Sequence, residues 1–246
     1  MAKQTDTKRD PRYREIGAWL REQCAELPVG TLLPSEMELT VRFKVSRMTV
    51  RHAVQILVQE SLVDRRRGAG SFVAAPPLHR RESTLRSFTQ DMTMRGLVPS
   101  SKILLSEVGT DPIAAGRLEL PPNAWVVRID RIRMASGVPL AIERAVLPGA
   151  FADVLSSDLA GGSLHVALVA MGRRMGRATG YVSARLATAE EAELLDLKPP
   201  VPLLVESRLI TDIGGRPVEA TETAYVASRW VIDTGSYIPP VVPVDN

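Results

Sequence analysis

A chain of 246 residues is long for one domain and comfortable for two. Its net charge of +3 is unevenly spread: residues 1–80 hold 14 Lys+Arg against 9 Asp+Glu, and residues 81–246 hold 17 against 19. No apolar run approaches the roughly 18 residues of a membrane span, MAKQTDTKRD lacks a signal-peptide core, and a lone cysteine, Cys24, excludes an intrachain disulfide or a Cys-rich zinc site, so a cytoplasmic protein without membrane contact is expected.

Residues 1–10 read as a tail. Asp10-Pro11 then opens a helix, with Asp as N-cap and Pro at the first helical position. Tyr13, Ile16, Leu20 and Cys24 fall on one face of it. A second helix starts at Pro34-Ser35, where Ser35 and Glu38 make a capping-box pattern, and buries Leu39 and Phe43. Lys44-Val45 is a turn. Ser46 caps a third helix whose Val50, Ala53, Val54 and Leu57 repeat at helical spacing. Leu62–Arg67 and Ser71–Val73 read as two short strands joined across Gly68 and Gly70.

That order is helix, turn, helix, hairpin, and it fits a winged helix-turn-helix over residues 11–74. A recognition helix needs donors near its N-terminus, because that end meets the base edges. Ser46, Arg47, Thr49 and Arg51 stand there. Arg47 suits bidentate guanine contact; Ser46, Thr49 and Arg51 suit phosphates. The wing adds Arg65, Arg66 and Arg67, with backbone amides at Gly68 and Gly70 able to approach a duplex. The bland alternative is a solvated basic face and an ordinary hairpin.

Ala74-Ala75-Pro76-Pro77 changes the composition, and residues 75–86 read as a stiff, extended linker. Beyond it, strands are expected at Lys102–Val108, Trp125–Met134, Leu140–Leu147, Gly180–Thr188, Leu203–Thr211 and Val218–Val226. Helices are expected after Asp111-Pro112, at Ser163–Ala170 and from Ala189, capped by Thr188. No regular βαβ period is present, so the fold class is α+β with an antiparallel sheet in residues 87–246.

In that region Arg131 and Arg133 alternate on one strand and point to one face, with Ile129 and Ile132 assigned to the other. Two forked cations need an anion. It is either Glu143 on the next strand or the phosphate or carboxylate of a small anionic effector. Ser87 and Thr89 add hydroxyls from the segment entering the domain. Trp125, Trp230, Met171 and Met175 are read as core or dimer surface, and His165 as packing. The other histidines, His52 and His79, have no Cys/His ligand set beside them, so neither a metal nor a cofactor is expected.

The run GTLLPSEMELTVRFKVSRMTVRHAVQILVQESLVDRRRGAGSFV resembles the DNA-binding domain of GntR-type bacterial transcription regulators. Ser61 stands where that family usually has Gly, and Met48 where Thr is common. The resemblance implies a homodimer on an inverted-repeat operator of double-stranded DNA. It also implies that Glu36 positions an Arg at that interface; the alternative is a charge in the first helical turn. SFTQDMTMRG, RIDRIRMASGVPL, ERAVLP, SLHVAL and GGRPVEATETAYV resemble the UTRA effector-binding domain of the HutC branch. Such domains are similar in fold to chorismate lyase, a six-stranded antiparallel sheet with helices. By resemblance, Arg131, Arg133, Glu143, Ser163, Glu219 and Tyr225 match pocket positions.

The implied function is a ligand-responsive repressor. The Arg-rich, Lys-poor composition is compatible with one serving phosphonate or phosphate utilisation. Alternatives are a lyase-like enzyme with a DNA-targeting head and an effector-free DNA binder. No Ser-His or Cys-His arrangement is evident, so no enzyme is expected.

Overall fold

A computed structural model describes residues 12–60, 62–66, 68–81 and 86–233. The expected tail, the Asp10-Pro11 helix start, Ser61 and Arg67 lie outside the described residues. Among those described, no helix is long and apolar enough to cross a membrane.

Three helices and a hairpin form the head. Helix α1 (Arg12–Glu26) buries Ile16 and Leu20 against α3 (Arg47–Gln59). Helix α2 (Glu36–Phe43) begins in the full capping box, Ser35 with Glu38, and ends at Lys44 in the left-handed region. Val50, Ala53, Val54 and Leu57 of α3 are buried, as their spacing predicts. Strands β1 (Val63–Arg66) and β2 (Gly70–Val73) pair antiparallel, Val63 opposite Val73 and Arg66 opposite Gly70. The chain before α2 joins this wing: the Leu33 amide donates to the Ser71 carbonyl at 2.8 Å.

The linker is not free along its length. After Pro76-Pro77 it forms strand β3 (Leu78–Arg81). Helix α4 (Phe88–Met94) follows, with Ser87 and Gln90 as its capping box. The body then runs β4 (Pro99–Thr110), α5 (Pro112–Arg117), β5 (Trp125–Ala135), β6 (Val138–Pro148), a 3-10 helix (Gly149–Ser156), α6 (Leu164–Ala170), β7 (Met175–Leu186), α7 (Ala189–Leu194), β8 (Pro202–Asp212), β9 (Pro217–Val226) and β10 (Trp230–Asp233). Six strands make one antiparallel sheet in the order β4-β5-β6-β9-β8-β7. The α+β expectation therefore holds. The short strands β3 and β10, a parallel pair, were not expected from the sequence.

Both faces of the central strands β5, β6 and β9 are covered, so most of their residues are buried, whereas the edge strand β7 is almost wholly exposed. On one face Val127, Ile129, Ala145, Leu147 and Ile210 pack under the 3-10 helix and α6. On the other, Ile142, Leu203, Val205 and Ala224 pack against Ala192 and Leu195 around α7. Ile132 is buried there too, but Ile129 is not on that side. It shares the face of Arg131 and Arg133, as its even spacing from them requires, and the expectation for it is corrected.

Among the described residues, a polar anchor joins head and body. Arg229, between β9 and β10, donates to the Asp64 carboxylate on wing strand β1 and, at 2.6 Å, to the Pro139 carbonyl on β6. The Leu78 amide of β3 donates to the Arg229 carbonyl at 2.9 Å.

Candidate nucleic-acid interface and effector cleft

The inward face of α3 fixes what its outward face offers. With Val50, Ala53 and Val54 buried, Arg47, Met48 and Arg51 stand exposed at the N-terminal end. Ser46 is the N-cap: its hydroxyl accepts from the Thr49 amide at 3.2 Å and bonds the Thr49 hydroxyl at 2.9 Å. Both hydroxyls thus hold the helix start and keep it pointed outward. Replacing Ser46 by Ala should cost the head about 1 kcal/mol by loss of the cap, read as a lowered melting temperature.

The wing departs from expectation at one residue. Arg65 is not free: its guanidinium donates to Glu36 at the start of α2. The same carboxylate lies 4.0 Å from Arg51 Nε on α3. Glu36 therefore bridges α2, α3 and the wing, closer to a positioning role than to a mere first-turn charge. Arg66 lies over the Phe72 ring, 4.5 Å from its centroid, with Asp64 at 3.7 Å. At the hairpin tip Gly68 has φ +76 and Gly70 φ +116. At Gly70 the backbone conformation demands glycine, while the nearest atom to an added side chain is only the movable end of Leu32, at 2.9 Å.

The body holds a cleft between the sheet, α4, α6 and the linker strand. Arg131, Arg133, Glu143, Ser163, Glu219, Tyr225 and Ser87 all line it. Sequence reasoning had brought these together, and the register shows why: Arg131 faces Glu143 across β5 and β6. Thr89 does not line the cleft. Its hydroxyl accepts from Arg133 Nη2 at 3.3 Å and sits 3.4 Å from the Gly162 carbonyl, so it braces the arginine. Ser87 and Ser163 spend one lone pair each on capping α4 and α6.

Neither horn of the choice between Glu143 and a ligand is complete for the two arginines. Arg131 Nη2 donates to Glu143 Oε1 at 2.6 Å, and Arg133 Nε lies 3.2 Å from Oε2. Arg133 also donates to the Ser101 hydroxyl at 2.8 Å, and its guanidinium lies 4.4 Å from the Phe88 ring centroid. Burial pushes the Glu143 carboxyl up, but the charges of Arg131 and Arg133 outweigh it and leave it at about 2. Burial lowers Arg133 to about 10, so it stays charged at neutral pH. Four buried side-chain polar atoms among the described residues make no hydrogen bond: Arg131 Nε, Arg133 Nε, Glu219 Oε2 and Trp230 Nε1. All four belong to side chains lining this cleft. Two of them nonetheless have charge partners close by: Arg133 Nε lies 3.2 Å from Glu143 Oε2, and Glu219 Oε2 lies 3.0 Å from His165 Nε2.

His165 and Trp230 were read as packing, and both line the cleft. His165 Nε2 lies 3.0 Å from Glu219 Oε2. Burial lowers the imidazole, but the Glu219 charge more than offsets that and raises it above the usual histidine value. The linker contributes too: Arg80 of β3 lines the cleft and donates to Glu206 at 2.7 Å, where Arg208 also binds. The sequence signal for His165 was its place two residues after Ser163. For Arg80 and Trp230 there was none, because their partners are distant in the chain.

A winged helix-turn-helix head joined to a body with a polar cleft defines a transcription regulator with a DNA-binding and a sensing part. Residues 12–73 match the bacterial regulatory proteins of the gntR family, and residues 94–230 match the UTRA domain. The chain belongs to the GntR family of bacterial regulators and carries a UTRA domain. It is 32% identical over 225 residues to the HTH-type transcriptional repressor NagR of Bacillus subtilis, covering 89% of this chain and 92% of that protein. It is 28% identical to the mannosyl-D-glycerate transport/metabolism system repressor MngR of Escherichia coli, covering 87% and 91%. The crystal structure of PhnF from Mycobacterium smegmatis is similar in fold, with TM-score 0.63 at 24% identity, over 90% of this chain and 99% of that one.

Proposed function

We propose that this protein is a cytoplasmic repressor that binds an inverted-repeat operator as a homodimer and changes its operator affinity when a small anionic molecule enters the cleft. The observation that carries the sensing half is a cleft in which two buried donors, Arg131 Nε and Trp230 Nε1, have no hydrogen-bond partner among the described residues, beside the buried Arg131–Glu143–Arg133 cluster. Buried polar groups are nearly always satisfied, so each exception calls for a partner, and a bound ligand would supply one here. Arg131 and Arg133 take the anionic group, phosphate, phosphonate or carboxylate. Glu143, Glu219, Ser163 and Tyr225 take its hydroxyl or amine groups. The name of one relative, the mannosyl-D-glycerate transport/metabolism system repressor MngR, supports repression of genes for transport or metabolism. On the DNA side Arg47 reads a base edge, Arg51 and Arg66 contact phosphates, and the backbone at Gly68 and Gly70 approaches the duplex. Arg67 joins them in this reading, while Ser46, Thr49, Glu36 and Arg65 hold the surface in shape.

The test is a thermal-shift screen against inorganic phosphate, sulfate, methylphosphonate, phosphorylated sugars and urocanate. A ligand bound only by the folded state raises the melting temperature. Arg133→Lys keeps the charge beside Glu143 but loses the planar fork. It should keep the fold and the unliganded operator affinity while losing at least about tenfold in ligand affinity. No hit with folded wild-type protein would refute the sensing half. Linkage also requires that a ligand which weakens operator binding binds the DNA-bound protein more weakly by the same factor.

A further inference from the structure

We infer that Trp230 is a ligand-reading residue of the cleft, its indole N–H donating to an acceptor oxygen of the bound molecule. This rests on the sensing reading above and adds to it a residue outside the expected pocket set. Trp230 is 2% exposed, lines the cleft, and its Nε1 has no acceptor among the described residues. An indole nitrogen is a donor only, so no rearrangement of its own proton can satisfy it. Its direction is fixed, because the ring stacks on Tyr225 with centroids 4.3 Å apart and planes at 8°. The ligand class follows. Beyond the anionic group held by the arginines, it presents a second acceptor, a hydroxyl, carbonyl or further acid oxygen, at the Trp230 end. A ligand apolar or purely cationic there would leave the N–H unpaired and be rejected.

The position carries the contact toward the head. Trp230 begins β10 and lies opposite Leu78 of the linker strand. Its neighbour Arg229 accepts the Leu78 amide on its carbonyl and grips Asp64 of the wing with its side chain. A ligand that fixes Trp230 therefore steadies the backbone that holds both linker and wing.

The experiment uses the full-length chain and its Trp230→Phe variant, which keeps a stacking ring and loses only the donor. Affinity is measured by calorimetry for inorganic phosphate, methylphosphonate, a hexose 6-phosphate and urocanate, with Arg133→Lys as reference. The expected result is that a probe bound by the wild type loses about tenfold in Trp230→Phe, the worth of one hydrogen bond. The ligand should also slow exchange of the Leu78 amide in the wild type but not in the variant. Equal affinity in wild type and Trp230→Phe, with loss only in Arg133→Lys, would overturn the Trp230 role and leave the sensing reading standing. Absence of any wild-type binding would remove both. Should Trp230→Phe fail to fold, the chain with Trp19→Phe and Trp125→Phe retains a single indole, since the protein has three Trp. Its indole proton resonance should move on adding a bound probe, and a stationary resonance would overturn the inference.

Discussion

Glu143→Gln is expected to destabilise the body by about 3–5 kcal/mol at neutral pH, the cost of breaking a buried ion pair from one side. The variant keeps an amide of nearly the same shape, so packing is not the cause. It loses the charge shared by Arg131 and Arg133, whose side chains are 2% and 3% exposed. Two adjacent guanidinium groups then remain, with the Glu219 charge still acting on Arg133. The same pair sets an acid limit. The Glu143 carboxyl falls from an ordinary value of 4.5 when unfolded to about 2 when folded. Its contribution is therefore fully present above about pH 4.5 and is lost as pH falls toward 2. Denaturant titrations between pH 5 and pH 2.5 should show this loss in the wild type and a weaker one in the variant. A variant within 1 kcal/mol of the wild type at pH 7 would remove the charge argument. The His165–Glu219 pair has the opposite sign. The histidine value is raised by folding, so its contribution is present below the unfolded value and lost as pH rises through the folded one.

Arg47→Ala is expected to lower operator affinity by about 1–3 kcal/mol per half-site and to relax preference at a single base position. Arg47 is exposed at the first turn of α3 and, unlike Arg65, makes no ion pair among the described residues. Its fork is therefore open to a base edge. The contrast is Arg66→Ala. That side chain lies against Phe72 on the wing, and its loss should weaken binding to all sequences alike and reduce the salt slope by about one. Selection of operators from a random pool, followed by titration at two salt concentrations, separates the two. An unchanged base preference in Arg47→Ala would end its reading role.

What the sequence makes legible is what local rules govern. The caps at Ser35, Ser46, Ser163 and Thr188, the inward stripe of α3 and the glycine hairpin each depend on residues within a few positions of one another. The alternation that sets Arg131 and Arg133 toward one face is equally local, and its misreading at Ile129 was an error of counting, not of physics. Long-range pairing escaped. The segment Leu78–Arg81 carries no strand signature after two prolines, and it becomes a strand only because Trp230–Asp233 lies beside it. Arg65 looked like its neighbours in the RRR run until Glu36, 29 positions earlier, claimed it. Trp230 and His165 have ordinary core composition, and only the cleft around them gives their polar atoms a task.

The pairing of β3 with β10 has a consequence for synthesis. Its side-chain clasp, His79 to Asp233 at 2.8 Å, joins residues 154 positions apart. The head completes its core once Val73 is made, and domains fold as units as they leave the ribosome. For the time needed to translate the remaining body, a finished head rides on a linker whose strand has no pairing partner. The β3–β10 pairing thus forms only when Trp230–Asp233 is made, and chains stopped before Trp230 would keep the folded head but lack that pairing.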